Sequence, residues 1–240
     1  MRVKIVVEKL NNVPLSYDHL YFLSSMLYTR LSESNIKLAN ETHSHTGFKF
    51  YNFSQIIPSG KFLMNKIGID FSSGYFILSS PDTEFIRSYT EGLLQKPEFN
   101  LGDAKFILRS VEILPARSFN GESLRFKTLS PVYVKTKREL SGKLVEWDLY
   151  PKDGKFYANV QTNLLERFEE FYNKDPEDTH FEITKVHWSK PKRVKIKDNY
   201  RRCSLMEFDL SASPELVQFV YDAGLGEKTG VGFGCLEVVG

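Results

Sequence analysis

The sequence predicts an α+β fold of antiparallel strands and amphipathic helices, in which one arrangement of elements occurs twice. Segments that alternate apolar and polar residues, as strands with one buried face do, are separated by segments with apolar residues at helical spacing. The two halves of the 240-residue chain also end alike, each with a strand, a Ser-Pro-acid sequence, a helix, a glycine-containing loop and a final strand. This similarity between the halves indicates a degenerate tandem repeat.

The first half has six predicted elements. Its first strand alternates Val3, Ile5 and Val7 with the intervening positions, and the helix that follows carries leucines at helical spacing. The second helix follows Pro81 and Asp82, where the missing N–H of proline costs no helical hydrogen bond. The order strand, helix, strand, strand, helix, strand is that of a ferredoxin-like domain. The ranges are residues 2–8, 16–32, 47–57, 74–80, 83–96 and 104–115.

The second half restarts the pattern after a polar, glycine-containing linker at residues 116–123. Strands are predicted at residues 124–135, 144–150, 193–197, 203–210 and 231–239, and helices at 156–172 and 213–224. We therefore predict two tandem ferredoxin-like domains, residues 1–118 and 119–240, each with an antiparallel sheet and helices on one face.

Composition narrows the class of protein. Apolar residues make up 41% and charged residues 26%, as in ordinary globular proteins. The two cysteines, Cys203 and Cys235, form no CxxC motif, which argues against a zinc knot or a redox pair. No segment approaches the roughly 18 apolar residues that span a bilayer, and the amino-terminal apolar run is too short for a secretory signal. These features predict a reduced, cytoplasmic protein with no membrane partner.

Positive charge is concentrated in one segment. Residues 185–202 contain eight basic residues and one acid, a net charge of +7, whereas the whole chain carries +2 and its remainder therefore −5. Within the segment Arg193, Lys195 and Lys197 alternate with Val194 and Ile196, so a strand here would have one cationic and one apolar face. A solvated edge strand protected by lysines is one interpretation. A phosphate-binding surface is the other. Trp188, Tyr200 and Phe233 could stack bases on it, but each could equally belong to the core.

The carboxyl-terminal sequence AGLGEKTGVGFG resembles a nucleotide-binding loop but lies in the wrong context. A Walker loop requires glycine immediately before Lys-Thr, and here Glu227 precedes Lys228. A Rossmann loop follows a strand and opens a helix, whereas this loop follows a helix and precedes a strand. A helix C-cap at Gly224 followed by a tight turn explains one or two of the glycines but not Gly230, Gly232 and Gly234. Such glycines often mark the close approach of another backbone, for which a nucleic-acid backbone, with Lys228 as phosphate partner, is one candidate.

The polar sequence ETHSHTGFKF holds the candidate catalytic residues. Glu41, His43 and His45 alternate as metal ligands can, but no further ligand is identified. A surface loop with two idle histidines is a second interpretation. The third is acid–base chemistry on RNA, in which the 2′-hydroxyl attacks the adjacent phosphorus. That reaction needs a base, an acid and a cation, which Tyr, His and Lys can supply.

The chain resembles the CRISPR-associated endoribonucleases that cut repeat RNA into guide units, within the repeat-associated RNA-binding protein superfamily. The resemblance spans nearly the whole chain. It rests on YDHLYFLSSMLYTRLS, IKLANETHSHTGFKFYNFS, FKTLSPVYV and the terminal GLGEKTGVGFGCLEV.

The resemblance implies the roles of individual residues. It places the catalytic tyrosine of the first helix at Tyr28, the histidine ending the next helical segment at His43 and the lysine of the following strand at Lys49, with His45 as an alternative histidine. It implies RNA contacts from the basic strand and the glycine loop: Lys190, Lys192, Arg193, Lys195, Lys197, Arg201, Gly224, Gly226 and Lys228.

The resemblance also implies a reaction and partners. The reaction needs no metal or cofactor and leaves a 2′,3′-cyclic phosphate and a 5′-hydroxyl. The partner is CRISPR repeat RNA, and the protein is a monomer or a homodimer. The alternative is a non-catalytic RNA-binding subunit, which would associate with the other subunits of a CRISPR effector complex.

Overall fold

The computed structural model describes residues 1–120 and 123–239. Its helices are α1 Leu20–Ser34, α2 Ile36–Ser44, α3 Thr83–Gln95, α4 Phe156–Tyr172 and α5 Pro214–Ala223. Its strands are β1 Arg2–Lys9, β2 Leu15–Ser16, β3 Asn52–Phe53, β4 Ile57–Met64, β5 Gly68–Ser79, β6 Glu98–Leu101, β7 Ala104–Ile113, β8 Leu124–Thr128, β9 Lys135–Leu140, β10 Lys143–Asp148, β11 Phe181–Ile196, β12 Asn199–Ala212 and β13 Leu236–Val238. Residues 121 and 122 of the predicted linker lie outside the described part of the chain.

The first sheet is antiparallel with the ferredoxin-like order β4-β5-β1-β7, and the short strands β2, β3 and β6 extend it. Its central strand β1 places Ile5 opposite Phe76 of β5 and Val111 of β7. The buried face of this sheet packs against the apolar sides of α1 and α3. The predicted first helix and the helix after Asp82 are both present, and the Asp82 carboxylate caps α3 by accepting from two backbone N–H groups.

The second sheet has the same topology, in the order β11-β12-β8-β13. Phe126 in β8 lies opposite Phe208 of β12, and both side chains are buried in a second core with α4 and α5. A separate two-stranded ribbon, β9 and β10, is inserted between β8 and α4. The predicted fold class, tandem ferredoxin-like folds with antiparallel sheets, is confirmed.

Several local predictions differ from the structure. Within the predicted strand at residues 47–57, only β3 and the last residue, which begins β4, belong to strands. Residues 36–44, where no helix is predicted from periodicity and only the family resemblance implies a helical segment, form α2, whose first turn is capped by the Asn35 side chain. The strands at 193–197 and 203–210 are parts of one long hairpin, β11 and β12. The predicted final strand is shorter, because Gly232 and Gly234 have φ of +89° and +73°.

The long β11–β12 hairpin joins the two halves. Val194 and Cys203, near its tip, are buried in the first core. The backbone N–H of Lys195 donates to the Asp18 carboxylate at 3.0 Å. The predicted apolar face of this strand therefore packs against the amino-terminal half, while Lys195 remains exposed.

The carboxyl end of α5 joins the halves a second time. The last carbonyls of a helix have no partner within it, and at residues 221–224 side chains supply the donors. Arg2 donates to the carbonyl of 221 at 2.7 Å and Asn52 to that of 222 at 2.7 Å. Arg167 of α4 donates to the carbonyls of 223 and 224 at 2.6 and 2.8 Å.

Within the described ranges, no helix has the length and apolar character needed to cross a membrane.

His19 precedes α1 and is almost completely buried. The backbone N–H of Ile56 donates to its Nε2 at 3.1 Å, so the proton resides on Nδ1, which donates to the Ser16 carbonyl at 2.7 Å. Burial lowers the pKa of His19 to about 4. The neutral ring is therefore the form that the fold stabilises.

We expect acid to destabilise the protein through His19. The unfolded ring binds a proton at its ordinary pKa of about 6.5, so this stabilisation is complete above that pH and is lost as the pH falls towards 4, by up to ~3 kcal/mol. Urea unfolding of the wild type and His19→Gln at pH 7.5 and 4.5 measures the effect. The glutamine variant should lose less stability over this interval, and an equal loss in both proteins would contradict the assignment.

Candidate active site

A cleft of about 780 Å³ lies between the two halves. One wall is a single face of α1, with Tyr21, Ser24 and Tyr28. The other walls are the segment after α2, the tip of the β11–β12 hairpin and residues 227–231 of the glycine loop, which we define as residues 224–234. Both halves of the chain therefore contribute to one site.

The structure brings the three predicted catalytic residues to this cleft. The rings of Tyr28 and His43 meet edge to face, with centroids 5.6 Å apart. Tyr28 lies on α1, His43 on the last turn of α2 and Lys49 on the segment that follows, and all three line the cleft. Tyr51, beneath Tyr28, is buried; burial and the neighbouring Tyr28 raise the pKa of Tyr51 well above its ordinary value. Its phenol is therefore a neutral neighbour of Tyr28.

Lys49 is not on a strand, contrary to the prediction. The backbone carbonyls of its segment, which a sheet would pair with a neighbouring strand, instead accept hydrogen bonds from side chains in other parts of the chain. The hydroxyl of Thr229 donates to the Lys49 carbonyl at 3.0 Å, and the hydroxyl of Ser80 donates to the Phe50 carbonyl at 2.7 Å. Lys49 therefore lies on an extended segment held by tertiary contacts.

The Lys49 ammonium lies at the carboxyl end of α2. It donates to the carbonyl of Thr42, and to that of His45 at 2.6 Å. A cation is favoured at this end of a helix by the macrodipole, while partial burial lowers the pKa of Lys49. The Lys49 ammonium is thus held against the last turn of α2, the turn that carries His43.

His45 lies on the other side of this segment. Its Nε2 is 2.9 Å from Oε1 of Glu170 on α4, and that same oxygen accepts from the backbone N–H of Phe48 at 3.1 Å. His45 lines a separate pocket of about 240 Å³ and not the cleft. The two histidines thus occupy different environments, and His43 is the one beside Tyr28. In the part of the chain that the structure describes, no three His, Cys, Asp or Glu side chains are grouped as metal ligands.

Cationic side chains dominate the cleft. Five basic residues line it and Glu227 is the one acid among the described lining residues; the basic residues are Lys49, Lys135, Arg167, Lys197 and Lys228. Burial and the nearby Arg201 and Lys135 lower the pKa of Lys228. Such clustering of like charges favours a polyanionic ligand.

The predicted RNA-binding residues fall into two sets. Lys197 and Lys228 line the cleft. The others on the hairpin lie outside its lining: Lys190, Lys192, Arg193, Lys195 and Arg201.

The hairpin residues outside the cleft make different kinds of contact with their neighbours. Arg193 stacks over the exposed ring of Tyr200, with the guanidinium carbon 4.5 Å from the centroid. Arg201 pairs with Glu146 at 3.1 Å. Of the aromatic residues considered for base stacking, Trp188 and Tyr200 are exposed, whereas Phe233 is fully buried in the first core.

Gly224 and Gly226 of the loop pack against other parts of the protein. Gly224 and Gly226 are buried with φ of +88° and +81°. A Cβ on Gly224 would lie 2.9 Å from the Asn52 side chain, and one on Gly226 would lie 2.6 Å from the Tyr133 carbonyl oxygen. The close approach that these two glycines allow is therefore to other parts of this chain, a side chain at Gly224 and a backbone carbonyl at Gly226.

Arg167 was not among the predicted site residues. It lies one position before Phe168, on the apolar face of α4, and is almost completely buried. Burial lowers the pKa of Arg167 to about 10, so the guanidinium stays charged at neutral pH. The sequence signal that could have identified Arg167 is a basic residue at a helical position predicted to be buried.

Comparisons with known proteins agree on one family. The model of the amino-terminal region of CRISPR-associated protein Cas6 matches residues 13–112, and that of the Cas6 carboxyl-terminal region matches residues 114–238. The CRISPR-associated endoribonuclease Cas6 1 of Methanocaldococcus jannaschii is 37% identical over 98% of this chain and 91% of its own length. The CRISPR-associated endoribonuclease Cas6 of Pyrococcus furiosus is 30% identical over 93% and 83%.

Solved structures extend these similarities. One described as "CRISPR associated protein Cas6" has a TM-score of 0.88 and 35% identity, covering 100% of this chain and 99% of its own. One described as "An RAMP protein binding different RNA substrates" has a TM-score of 0.92 and 30% identity, with full coverage of both chains.

We expect Arg167→Leu to lower the free energy of unfolding by about 2–5 kcal/mol, because it leaves buried carbonyls at residues 223 and 224 without donors. The urea midpoint with an unchanged slope measures the loss. Arg125→Leu is the matched control; its ion pairs are partly exposed and should be worth at most about 1 kcal/mol. A leucine variant as stable as the wild type would show that the desolvation cost of the guanidinium cancels its hydrogen bonds.

Proposed function

Because the chain belongs to the CRISPR-associated Cas6 family, we propose that it is an endoribonuclease that cuts CRISPR repeat transcripts into guide RNAs without a metal ion. The observation that carries this proposal is the convergence of Tyr28, His43 and Lys49 in one cationic cleft. The relatives named as endoribonucleases are similar along nearly the whole chain, which supports the class of reaction.

The proposed reaction is a transesterification. The 2′-oxygen forms a bond to the adjacent phosphorus, and the bond from phosphorus to the 5′-oxygen breaks. A base removes the proton of the 2′-hydroxyl, and an acid supplies a proton to the leaving 5′-oxygen. The products are a 2′,3′-cyclic phosphate and a 5′-hydroxyl, and no water or redox partner is consumed.

His43 and Tyr28 are the proposed proton-transfer pair. The His43 side chain is exposed to the cleft, so its ring can reach an RNA oxygen. Tyr28 is half-buried and contacts the edge of that ring, which limits the orientations of both. The pair can place a base and an acid on the two sides of one phosphate, and either residue can take either role.

Lys49 is the proposed electrostatic group. Negative charge accumulates on the non-bridging oxygens as the fifth bond to phosphorus forms. An ammonium held in place stabilises that charge without reorganising during the reaction. The carbonyls of Thr42 and His45 orient Lys49 beside His43, and one of its three protons remains available for a phosphate oxygen.

RNA is proposed to enter the cleft along its cationic walls. Lys197 and Lys228 line the same cleft as the three catalytic candidates and would neutralise neighbouring phosphates, whereas Lys135 is paired with Glu146 at 2.6 Å. The exposed Arg193 and Lys195 extend the positive surface beyond the cleft along the hairpin. Gly224 and Gly226 are left out of this RNA surface because they are buried against the protein.

Incubation with the cognate repeat RNA in excess EDTA tests the function. We expect cleavage at one phosphodiester bond, with cyclic-phosphate and 5′-hydroxyl ends identified by mass spectrometry. His43→Ala should lower the single-turnover rate by at least about 100-fold, the lower range for loss of a general acid or base. Its affinity for RNA should change little.

His45→Ala is the matched control, since it removes the neighbouring histidine and its contact with Glu170 while leaving the cleft intact. It should cut at close to the wild-type rate. A larger defect in His45→Ala than in His43→Ala would reverse the assignment of the two histidines. Tight binding of RNA by the wild type without cleavage would support the non-catalytic subunit instead.

We expect the cleft lysines to determine the salt dependence of RNA binding. Lys197→Ala and Lys228→Ala should each weaken binding and reduce the slope of log K against log salt by about one, because each removes one phosphate contact. The slope is measured by fluorescence anisotropy at salt concentrations between roughly 50 and 300 mM. Lys96→Ala, outside the cleft and paired with Glu33, should leave it unchanged. Unchanged slopes in both cleft variants would place the RNA elsewhere.

A further inference from the structure

Thr229 is a buried hydroxyl between the halves of the chain. It lies in the glycine loop, 3% exposed, and is separated from Lys49 by 180 residues of sequence. Its Oγ1 has two partners: Nη2 of Arg167 at 3.3 Å and the carbonyl oxygen of Lys49 at 3.0 Å.

The chemistry of these partners determines the direction of both hydrogen bonds. A guanidinium can only donate and a carbonyl can only accept. Thr229 therefore accepts from Arg167 and directs its one proton at Lys49. A charged donor polarises the hydroxyl and strengthens its bond to the carbonyl. Arg167, Thr229 and Lys49 thus form a chain with no alternative proton arrangement.

The same loop also contacts the side chain of Lys49. A Cβ on Gly230 would lie 2.8 Å from both Cβ and Cγ of Lys49, so the glycine backbone packs directly on the lysine stem. The Gly230 carbonyl accepts from Ser24 of α1 at 3.0 Å, which holds the loop against the cleft wall. Lys49 is therefore fixed at its carbonyl, its stem and its ammonium.

We propose that Thr229 is a positioning residue, which transmits the placement of the buried Arg167 to the catalytic Lys49 through its hydroxyl. This proposal rests on the proposed endoribonuclease function. The glycine loop of the second half then orients the chemistry of the first half. The role needs the hydroxyl and not the methyl group, so serine should replace threonine and valine should not.

Single-turnover cleavage and RNA binding separate positioning from contact. Thr229→Val should slow cleavage by about 10- to 100-fold, the effect of misplacing a group by roughly an ångström. Its affinity for a repeat RNA carrying a 2′-deoxy nucleotide at the cut site should stay within about twofold. Thr229→Ser should cut within about twofold of the wild type. Thr184→Val, on the exposed face of β11, is the matched control and should also cut at close to the wild-type rate.

A double-mutant cycle identifies the group on which Thr229 acts. If the hydroxyl works through Lys49, Thr229→Val adds no further defect to Lys49→Ala. A further loss of rate in the double variant would overturn the proposal. So would a parallel loss of rate and affinity in Thr229→Val, which would show that the hydroxyl contacts RNA directly.

A measurement without substrate tests the contact itself. The amide nitrogen of Phe50 belongs to the peptide group whose carbonyl accepts from Thr229, so its ¹⁵N chemical shift reports that hydrogen bond. The shift should move in Thr229→Val and stay near the wild-type value in Thr229→Ser. Cleavage absent from the wild type would refute the enzyme alone, whereas an unmoved Phe50 shift would refute the positioning chain alone.

Discussion

The buried guanidinium of Arg167 is the interaction on which the arrangement of the site depends. It donates to the last carbonyls of α5, to the glycine loop and to Thr229. Four backbone or hydroxyl oxygens would lose a donor without it, in a region from which water is excluded, and each unpaired group costs of the order of 1–3 kcal/mol. One side chain of α4 therefore determines where helix, loop and cleft wall meet.

The amino-terminal half completes this junction. Arg2 and Asn52 donate to the carbonyls that precede those held by Arg167, so the end of α5 is shared by both sheets. The cleft lies beside this junction. The geometry of a site between the two halves is well defined only if the relative position of the halves is fixed. Hydrogen bonds to buried carbonyls are directional enough to fix that position. Functional residues from the two halves can then be held within a few ångströms.

The location of Lys49 shows how the same constraint produces chemistry. Its segment has no strand partner, and Thr229, Ser80 and Glu170 satisfy its backbone groups from distant elements. Its ammonium is held at the end of α2, beside His43. Burial lowers the pKa of Lys49, and burial together with the nearby Arg201 and Lys135 lowers the pKa of Lys228. Repulsion among the cations around Lys228 therefore favours an anionic ligand.

Periodicity and composition are local properties of the sequence, and they were sufficient to predict the repeated order of strands and helices, the class of fold and the concentration of positive charge. The resemblance of short motifs pointed to Tyr28, His43 and Lys49. The folded structure was needed to show that His43 and not His45 faces Tyr28, that Lys49 lies off the sheet, and that Gly224 and Gly226 pack against protein. These contacts join residues far apart along the chain, as with Thr229 and Lys49, which are separated by 180 residues. A hydrogen bond between them leaves no pattern in either segment, and α2, in which Ala39 is the buried residue, lacks the row of buried apolar residues that the longer helices have.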